Sequence, residues 1–493
     1  MYGHNAPEEI ETFEEVEDKV KAFLLKSIRK EAGYARPSPI QRAVLPVMLS
    51  DRDVLACAPT GSGKTAAFVI PVLAKIYSNA VQRFLKRKKK AIREGKAGGI
   101  SCVPLAIVLA PTRELTSQIV SEFVKLGDRK RVKVAEGHKI RLGGPAPVGA
   151  YDVVVATPKR GHTFLTHPQV DPAYVQWFVV DEVDRIFDYS FIEQLDAVLT
   201  VLQESAAARD DVPHLKMSRA FFSATVPQQV EDLTGAVLRD EIRVVVGAKM
   251  AAAASVSQEL VFVGRESGKL LALRQIVARG ILPPVLIFVQ SRARADQLYK
   301  EMVYMDLKVD VIHSAQTTPQ REEIVRDFRR GKIWFLITTE LMGRGMDFKG
   351  VSVVVNYDFP SSVVEYIHRV GRTGRGGRTG RAITLFTEVD KPALRPIARV
   401  AAEAGNDVPD WMLSLAKPTR ATVKALKTHP RTRESIDSTS LDPVVSYDDK
   451  QRRLKARAKR KKMFQRLEKQ RASQKKAKGK GKGKGKGKDK QRG

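Results

Sequence analysis

The sequence predicts an α/β protein with two parallel sheets, each flanked by helices, and a basic C-terminal extension. Short apolar runs alternate with helical patterns, which is typical of strand–helix–strand units and a parallel sheet. The alternation occurs twice, on either side of the alanine-rich stretch GAKMAAAASVSQ. It stops before the run 450–493, which holds 22 Lys or Arg residues and two acidic ones. Two sheet domains joined by a short hinge are therefore expected.

The predicted strands are the apolar runs of the two series. In the first series they cover residues 53–57, 105–109, 153–156, 178–180, 220–222 and 242–246. In the second series they cover residues 260–263, 285–289, 309–312, 334–337, 353–355 and 382–386. The predicted division is a first domain, a linker, a second domain and a basic, largely disordered extension, at 1–247, 248–256, 257–409 and 410–493.

A phosphate-binding loop is indicated directly after the first predicted strand. The sequence APTGSGKT opens a helical stretch there, in the strand, loop and helix context that a P-loop requires. Glycines let backbone N–H groups converge on an anion, Lys64 can reach the outer phosphates, and the Thr65 hydroxyl can hold Mg²⁺. Alone, the string could also be an ordinary strand-to-helix turn. The expected nucleotide contacts are Ala58, where the first glycine is usual, then Thr60, Gly61, Ser62, Gly63, Lys64 and Thr65.

Acidic and hydroxyl side chains follow two later strands. Asp181, Glu182 and Asp184 come just past an apolar run. There Asp181 can hold Mg²⁺ through its water shell, and Glu182 can orient or deprotonate an attacking water. Ser223 and Thr225 end the next predicted strand with hydroxyls able to bond an acidic neighbour. Acidic residues also begin many helices because they suit the helix dipole, so it is the upstream P-loop that favours a catalytic role.

The second series ends in arginines interleaved with glycines, EYIHRVGRTGRGGRTGR. Arginine suits phosphate because its planar fork donates two hydrogen bonds and never deprotonates. An arginine that a second domain presents to a phosphate held by the first makes hydrolysis depend on domain closure. Arg372 and Arg375 are the expected arginine fingers, with His368 nearby. The alternative, a solvated basic helix start, is disfavoured by the glycines.

Charge and cysteine content limit the class of protein. The net charge is +31, concentrated in the tail, which predicts a polyanion-binding arm or a nucleolar address, with a merely solubilising tail as the alternative. A second basic run, at 83–96, is expected to be an exposed insertion. Cys57 and Cys102 are too few for a disulfide framework. No apolar stretch approaches the ~18 residues of a membrane span, so a soluble intracellular protein without a membrane partner is expected.

Together these motifs resemble the DEAD-box RNA helicases. PSPIQ, APTGSGKT, PTREL, TPKR, DEVD, SAT, RGMD and HRVGRTGR occur in the order and spacing of that family, over about residues 13–386. The resemblance implies two RecA-like domains, a monomeric core, ATP and Mg²⁺ as cofactors, and RNA-coupled ATP hydrolysis with local strand separation. A DNA translocase would lack the PSPIQ element. A non-catalytic RNA clamp or scaffold is the stronger alternative, and the complete catalytic set argues against it.

The resemblance also assigns roles to single residues. Gln41 matches the glutamine that reads adenine, Phe13 the aromatic residue upstream of it, and Asp347 the ribose contact. A glutamine side chain offers both a donor and an acceptor, as the adenine edge does. The positions matched to coupling of hydrolysis and RNA binding are Asp184, Ser223, Thr225 and His368. The positions matched to RNA backbone contacts are Pro111, Thr112, Arg113, Thr157, Pro158, Arg321 and Thr339.

Several segments resemble the Rok-type subfamily of DEAD-box helicases more closely. These are QELVFVGRESGKLLALRQIV, GRGMDFKGV, VNYDFPSSVVEYIHRVGRTGR and RESI near Ser435. The subfamily implies small ribosomal subunit assembly in the nucleus, at the nucleolus. The expected substrates are pre-rRNA or small nucleolar RNA duplexes, and the expected partners are pre-ribosomal assembly proteins.

Overall fold

We describe the protein from a computed structural model. The residues that the structure describes are 1–128, 130–142, 151–188, 191–207, 217–247, 255–339, 348, 350–374, 378–416 and 433–436.

The first domain is built on a seven-stranded sheet in which every pairing is parallel. Its strands are β1 (Val54–Cys57), β2 (Ala106–Leu109), β3 (Val134–Glu136), β4 (Val153–Ala156), β5 (Trp177–Val180), β6 (Ser218–Ser223) and β7 (Ile242–Val245). Their order across the sheet is β3-β4-β2-β5-β6-β1-β7. All six predicted strands of this series are confirmed, and the three-residue edge strand β3 was not predicted.

Helices pack on both faces of this sheet. They are α1 (Ala22–Lys26), α2 (Pro39–Leu49), α3 (Lys64–Ile76), α4 (Asn79–Arg93), α5 (Arg113–Leu126), α6 (Pro158–Leu165), α7 (Val183–Asp188), α8 (Ile192–Ala207) and α9 (Gln228–Val237). The expected insertion at 83–96 is therefore largely helical, because Val81 and Leu85 lie four residues apart and are buried together.

The second domain contains a six-stranded parallel sheet. Its strands are β8 (Val256–Phe262), β9 (Val285–Val289), β10 (Val309–Ile312), β11 (Phe335–Thr339), β12 (Val353–Asn356) and β13 (Gly380–Phe386), in the order β10-β11-β9-β12-β13-β8. All six predicted strands are confirmed. Its helices are α10 (Gly268–Ala278), α11 (Arg292–Tyr304), α12 (Thr318–Arg329), α13 (Val363–Val370), α14 (Lys391–Glu403) and α15 (Asp410–Ser414).

The ends of the second domain differ in detail from the predicted boundaries. β8 begins at Val256, inside the span expected to be a linker, and residues 248–254 lie outside the described part of the chain. After residue 409, Met412 of α15 is buried. Ile436, from the short described segment 433–436, is also buried against the second domain. Packing thus continues past the expected start of the extension.

Each sheet is buried on both faces, which is why its strands are continuous apolar runs. All four residues of β2 and all five of β9 are buried. Cys57 and Cys102 are buried and free, as expected. Among the described residues, no helix has the length and apolar character needed to cross a membrane.

The two domains touch through side chains that follow the strands of the first sheet. Thr60 Oγ1, in the loop after β1, donates to the carbonyl of Gly371 at 2.9 Å. Glu114, in the first turn of α5, pairs with Arg321 at 2.7 Å. Because ligands of parallel sheets bind at the carboxyl ends of the strands, these contacts place the second domain over the expected nucleotide site.

Candidate nucleotide and RNA site

The P-loop is shaped by two glycines and by the helix that follows. Gly61 and Gly63 have φ values of +82° and +95°, in the left-handed region that favours glycine. A Cβ on Gly63 would lie 2.6 Å from Gln41 Nε2, so the loop also needs glycine for this close approach. α3 begins at Lys64, which directs its N-terminal N–H groups into the loop. The arrangement is suited to an anion.

Lys64 is buried inside this loop, and Nζ donates to the carbonyls of Ala58 and, at 3.3 Å, Pro59. Burial lowers the pKa of Lys64, while the nearby carboxylates of Asp181 and Asp184 oppose that shift. The buried Ser62 hydroxyl has no hydrogen-bond partner among the described residues. Both groups are donors that phosphate oxygens would satisfy.

Gln41 joins the PSPIQ element to the P-loop. Its Oε1 accepts from the backbone N–H of Ser38 at 3.0 Å, and its Nε2 donates to the carbonyl of Gly63 at 3.1 Å. Each group keeps one further site, because an amide oxygen accepts two hydrogen bonds and an amide NH₂ donates two. Phe13 is buried in the core of the same domain. The proline-punctuated stretch therefore fixes the loop that holds Lys64.

The acidic motif begins where β5 ends. Asp181 Oδ1 accepts from the backbone N–H of Glu182 at 2.9 Å. Burial and the neighbouring carboxylate raise the pKa of Asp181 to about 7. A bound divalent cation would favour the ionised form of this carboxylate. With the Thr65 hydroxyl on the facing loop, the oxygen donors fit Mg²⁺.

Glu182 occupies a strained backbone position, with φ of +51° for a non-glycine residue. Its Oε2 lies 3.2 Å from Nε of Arg185, which is fully buried. Burial opposes ionisation of Glu182, but Arg185 and Arg372 hold the pKa of this carboxyl below its usual range. Glu182 is therefore ionised at neutral pH and can accept a proton.

Asp184 links the acidic motif to both its own domain and the second one. Its Oδ2 accepts from Thr225 Oγ1 at 2.6 Å and from the Thr225 N–H at 3.1 Å. His368 Nε2 lies 3.2 Å from the same oxygen. The Ser223 hydroxyl donates instead to the carbonyl of Thr225, at 2.5 Å.

The charge states of this pair follow from its surroundings. Burial opposes ionisation of Asp184, but the contacts from His368 and Thr225 lower the pKa of the carboxyl. Burial and the nearby Arg185 lower the pKa of His368 to about 4. The pair is therefore an ionised aspartate beside a neutral histidine.

The second domain presents Arg372 to the same cavity. This cavity, about 580 Å³ in volume, is lined by both domains and includes Thr60, Lys64, Thr65, Asp181, Glu182 and Arg372. Arg372 is largely buried, and its Nε donates to the carbonyl of His368 at 3.3 Å. Arg375 and Asp347, the other two second-domain residues expected here, lie outside the described part of the chain.

Comparisons with known proteins match this arrangement. Residues 38–233 match the family model described as DEAD/DEAH box helicase, and residues 268–377 match the model described as helicase conserved C-terminal domain. The chain belongs to the DEAD-box helicase family. The ATP-dependent RNA helicase activity of the family is thereby assigned to it.

Named relatives agree with the family. The chain is 42% identical over 84% of its length to "Probable ATP-dependent RNA helicase ddx52" of Dictyostelium discoideum and spans 58% of that protein. It is 41% identical over 94% of its length to "Probable ATP-dependent RNA helicase DDX52" of Bos taurus, spanning 74% of it. It is 39% identical over 86% of its length to "ATP-dependent RNA helicase ROK1" of Lodderomyces elongisporus, spanning 72% of it.

A solved structure supports the two RecA-like domains. The structure of Dbp5 from S. cerevisiae bound to RNA and ADP BeF3 superposes with a TM-score of 0.65 at 25% identity, covering 85% of this chain and 100% of that one. The predicted fold class of this DEAD-box protein is therefore confirmed.

The residues matched to RNA contacts lie at the carboxyl ends of strands in both domains. Pro111 and Thr112 follow β2, where Thr112 Oγ1 caps α5 by accepting from the Leu115 N–H at 3.3 Å, and Arg113 is exposed. Thr157 and Pro158 begin α6 in the same way after β4. In the second domain, Thr339 ends β11 and Arg321 lies in α12. Arg321 is held by the ion pair with Glu114.

Some residues of this DEAD-box site were not predicted. Arg185, which contacts Glu182, directly follows the acidic motif and was passed over as an ordinary helix residue. Gly371 was not assigned either, although a Cβ there would lie 2.2 Å from Thr60 Oγ1. No local pattern reports a contact between residues so far apart in sequence. The glycine interleaving was the available signal for a close approach.

Proposed function

We propose that this DEAD-box helicase uses ATP hydrolysis to separate short RNA duplexes during assembly of the small ribosomal subunit. The observation that carries the coupling is Asp184, which is bonded to Thr225 in the first domain and lies 3.2 Å from His368 in the second. A change in domain position therefore reaches the acidic motif directly. RNA bound across both domains would favour the closed arrangement in which Arg372 lines the nucleotide cavity.

The side chains divide the work of hydrolysis. Gln41 and the P-loop position ATP, with Lys64 against the outer phosphates. Thr65 and Asp181 would hold Mg²⁺, which supplies charge neutralisation at the phosphates when bound. Ionised Glu182 orients the attacking water and accepts its proton. Arg372 stabilises the charge that develops on the transferred phosphoryl group, and only in the closed form.

The RNA-contact positions support a substrate bound through its backbone. Threonine hydroxyls, helix N-termini and arginines suit phosphates and sugars, and such contacts fix position without reading sequence. Choice of RNA then depends on segments outside the helicase core or on partner proteins. This is the reason to expect pre-ribosomal assembly proteins as partners.

The cellular setting rests on resemblance and charge. The segments similar to Rok-type helicases, together with relatives named ROK1 and DDX52, support pre-rRNA or small nucleolar RNA duplexes as substrates. The basic run 450–493 supports a nucleolar location and contact with RNA phosphates. An ATP-gated RNA clamp with little unwinding is the second candidate function, since a helicase fold can act by binding alone.

The enzymatic proposal is tested with Glu182→Gln. We expect RNA-stimulated ATP hydrolysis to fall about 10² to 10⁴-fold, the usual contribution of a general base. ATP and RNA affinities should remain near those of the wild type, because the P-loop and the strand-end contacts are unchanged. Glu193→Gln, an exposed acid at the start of α8, is the matched control and should hydrolyse ATP normally.

Two further measurements separate the candidate functions. Strand separation of a short duplex should require ATP and be lost in Glu182→Gln. A wild type that hydrolyses ATP and holds RNA but releases no strand would favour the clamp. Crosslinking in cells followed by sequencing of the bound fragments should recover small-subunit pre-rRNA or small nucleolar RNA, and recovery of unrelated RNAs alone would contradict the proposed setting.

A further inference from the structure

The helix α4 carries a charge pattern that ATP hydrolysis does not use. Five of its cations, spaced three or four residues apart, are exposed on one outward stripe: Arg83, Lys86, Arg87, Lys90 and Arg93. We call these five residues the α4 stripe. Between residues 54 and 93 the chain contains no Asp or Glu, so the stripe is not interleaved with acids.

The other face of α4 holds it firmly on the first domain. Val81 and Leu85 are buried in the domain core, and the Phe84 ring packs against that of Tyr174, with 4.7 Å between centroids. Lys88 donates to the Tyr174 hydroxyl and lies 4.2 Å from its ring centroid. Lys89 pairs at 2.9 Å with Asp152, which is buried. The inward cations are thus neutralised, and the outward ones are presented on a fixed helix.

The α4 stripe is not stabilised by the molecule itself. None of the described acidic side chains pairs with Lys86, Arg87 or Arg93, and the Lys90–Glu94 pair is 3.7 Å long and exposed. Like charges four residues apart, as in Arg83 and Arg87, destabilise a helix by ~0.2–0.5 kcal/mol per pair. A helix needed only for packing would gain from acids at these positions, so the charge pattern indicates an anionic ligand.

The position of α4 separates this stripe from the catalytic cleft. Asp152 and Tyr174, its partners, come just before β4 and β5 and lie at the amino edge of the sheet. The P-loop and the expected RNA contacts lie at the opposite, carboxyl edge. The stripe spans ten residues, about 15 Å of helix, which matches about four phosphates of one duplex strand at 3.4 Å each.

We propose that the α4 stripe is a second RNA-binding surface that holds the phosphates of a structured or duplex region flanking the strand engaged in the cleft. The inference rests on the RNA helicase assignment but not on which RNA is the substrate. It predicts different effects on two probes. RNA long enough to reach both edges of the first domain uses the stripe, whereas a short single strand fills the cleft alone.

The test is the triple variant Lys86→Gln, Arg87→Gln, Lys90→Gln in the full chain, since glutamine is a good helix former. For a hairpin with a single-stranded extension, we expect the slope of log affinity against log salt to fall by about 2 to 3, at ~0.9 per duplex phosphate contact. For a short single strand, affinity, its salt slope and the maximal ATP turnover should be unchanged.

A matched control removes three exposed cations elsewhere, with Lys26→Gln, Arg279→Gln and Arg399→Gln. If the control lowers the salt slope for the hairpin as much as the α4 variant does, net charge alone explains the effect and the proposal fails. An unchanged slope in the α4 variant would also overturn it, in favour of a solvated face or an acidic protein partner. A loss on the short strand as well would mean damage to the cleft, and thermal unfolding midpoints check that both variants fold.

Discussion

Two buried charge clusters of similar composition do different things in this molecule. The cleft cluster, at the domain boundary, consists of Glu182, Asp184, Arg185, His368 and Arg372. The anchor cluster, within the second domain, consists of Glu266, Lys269, Arg294, Asp358, Asp390 and Arg433. Each combines carboxylates with cations away from solvent, where an unpaired charge is costly. They differ in how completely their polar atoms are paired.

The anchor cluster is fully paired. Arg294 binds Asp358 through two hydrogen bonds, of 2.7 and 2.8 Å, and Lys269 adds a third at 3.1 Å. Arg433 contacts Asp390 at 3.1 Å and Glu266 at 3.2 Å. No buried polar atom of these six side chains lacks a hydrogen-bond partner among the described residues. Such a network is permanent structure, and it fixes the segment 433–436 to the second domain.

The cleft cluster is incompletely paired. Nη1 and Nη2 of Arg185, Oδ1 of Asp184 and Nδ1 of His368 are buried without a hydrogen-bond partner among the described residues. Leaving such groups unsatisfied costs ~1–3 kcal/mol each. The cluster also joins two domains that must separate for nucleotide exchange. Incomplete pairing therefore indicates a site that ligand binding and domain movement complete, which complete pairing in the anchor cluster does not.

The largest test of this contrast is Arg372→Lys in the cleft cluster. Lysine keeps the charge but cannot reproduce the planar fork, so we expect ATP turnover at saturating RNA to fall about 10³-fold. ATP binding should persist, because Gln41, Lys64 and the P-loop lie in the first domain. Turnover rates and the affinity of a fluorescent ATP analogue measure the two effects separately.

An alternative for Arg372 is a role in RNA binding only. RNA affinity would then fall while turnover at saturating RNA and ATP stayed normal. That result would remove the arginine finger and with it the explanation of why hydrolysis needs closure. The conservative change Arg399→Lys, at an exposed position of α14, is the control and should alter neither quantity.

The second test is Arg433→Ala in the anchor cluster. Removing one partner of a buried, paired network costs ~3–5 kcal/mol. We therefore expect a lower unfolding midpoint and faster hydrogen exchange in β9 and β12, which flank Gln290 and Asp358. Turnover well below the midpoint should stay near normal, since no residue of this cluster lines the nucleotide cavity. Arg399→Ala, which removes an exposed cation, should leave stability almost unchanged.

The comparison would break if Arg433→Ala abolished turnover while leaving stability intact. The anchor cluster would then belong to the reaction, and complete pairing would not distinguish structure from function. Asp358→Asn sharpens the test, because the contacts from Lys269 and Arg294 lower the pKa of this buried carboxyl despite its burial. That stabilisation is present above the unfolded pKa of ~3.9 and is lost as pH falls below it.

What the sequence predicted and what it missed follow the range of each interaction. The strands were predictable because a buried parallel strand is a continuous apolar run, as in β9. The nucleotide site was predictable because its groups follow strands within a few residues, as Lys64 and Asp181 do. The anchor cluster was not, because Arg433 and Glu266 are 167 residues apart and such a pair leaves no periodic signal. The helix α4 was missed because its charge obscured the spacing of Val81 and Leu85.

The smallest expected effect concerns pH and the contact between His368 and Asp184. Burial and Arg185 lower the pKa of His368 to about 4 in the closed molecule, whereas a solvated histidine titrates near 6.5. Closure is therefore fully favoured above pH ~6.5 and is weakened as pH falls toward 4, because the open form binds the proton more tightly. Between pH 7.5 and 5.5 the closure constant should fall about tenfold, one pH unit below 6.5 being worth that factor.

The measurement is energy transfer between dyes on Lys26→Cys and Arg279→Cys, one exposed site in each domain, with RNA and a non-hydrolysable ATP analogue present. The two native cysteines are buried, so labelling is selective. Asp181, whose pKa is raised to about 7, titrates in the same window, and His368→Asn separates the two because it keeps Asp181. If the asparagine variant showed the same pH dependence as the wild type, the carboxylate would be responsible. A flat profile in the variant alone would locate the proton on His368, the side chain through which the second domain meets the acidic motif.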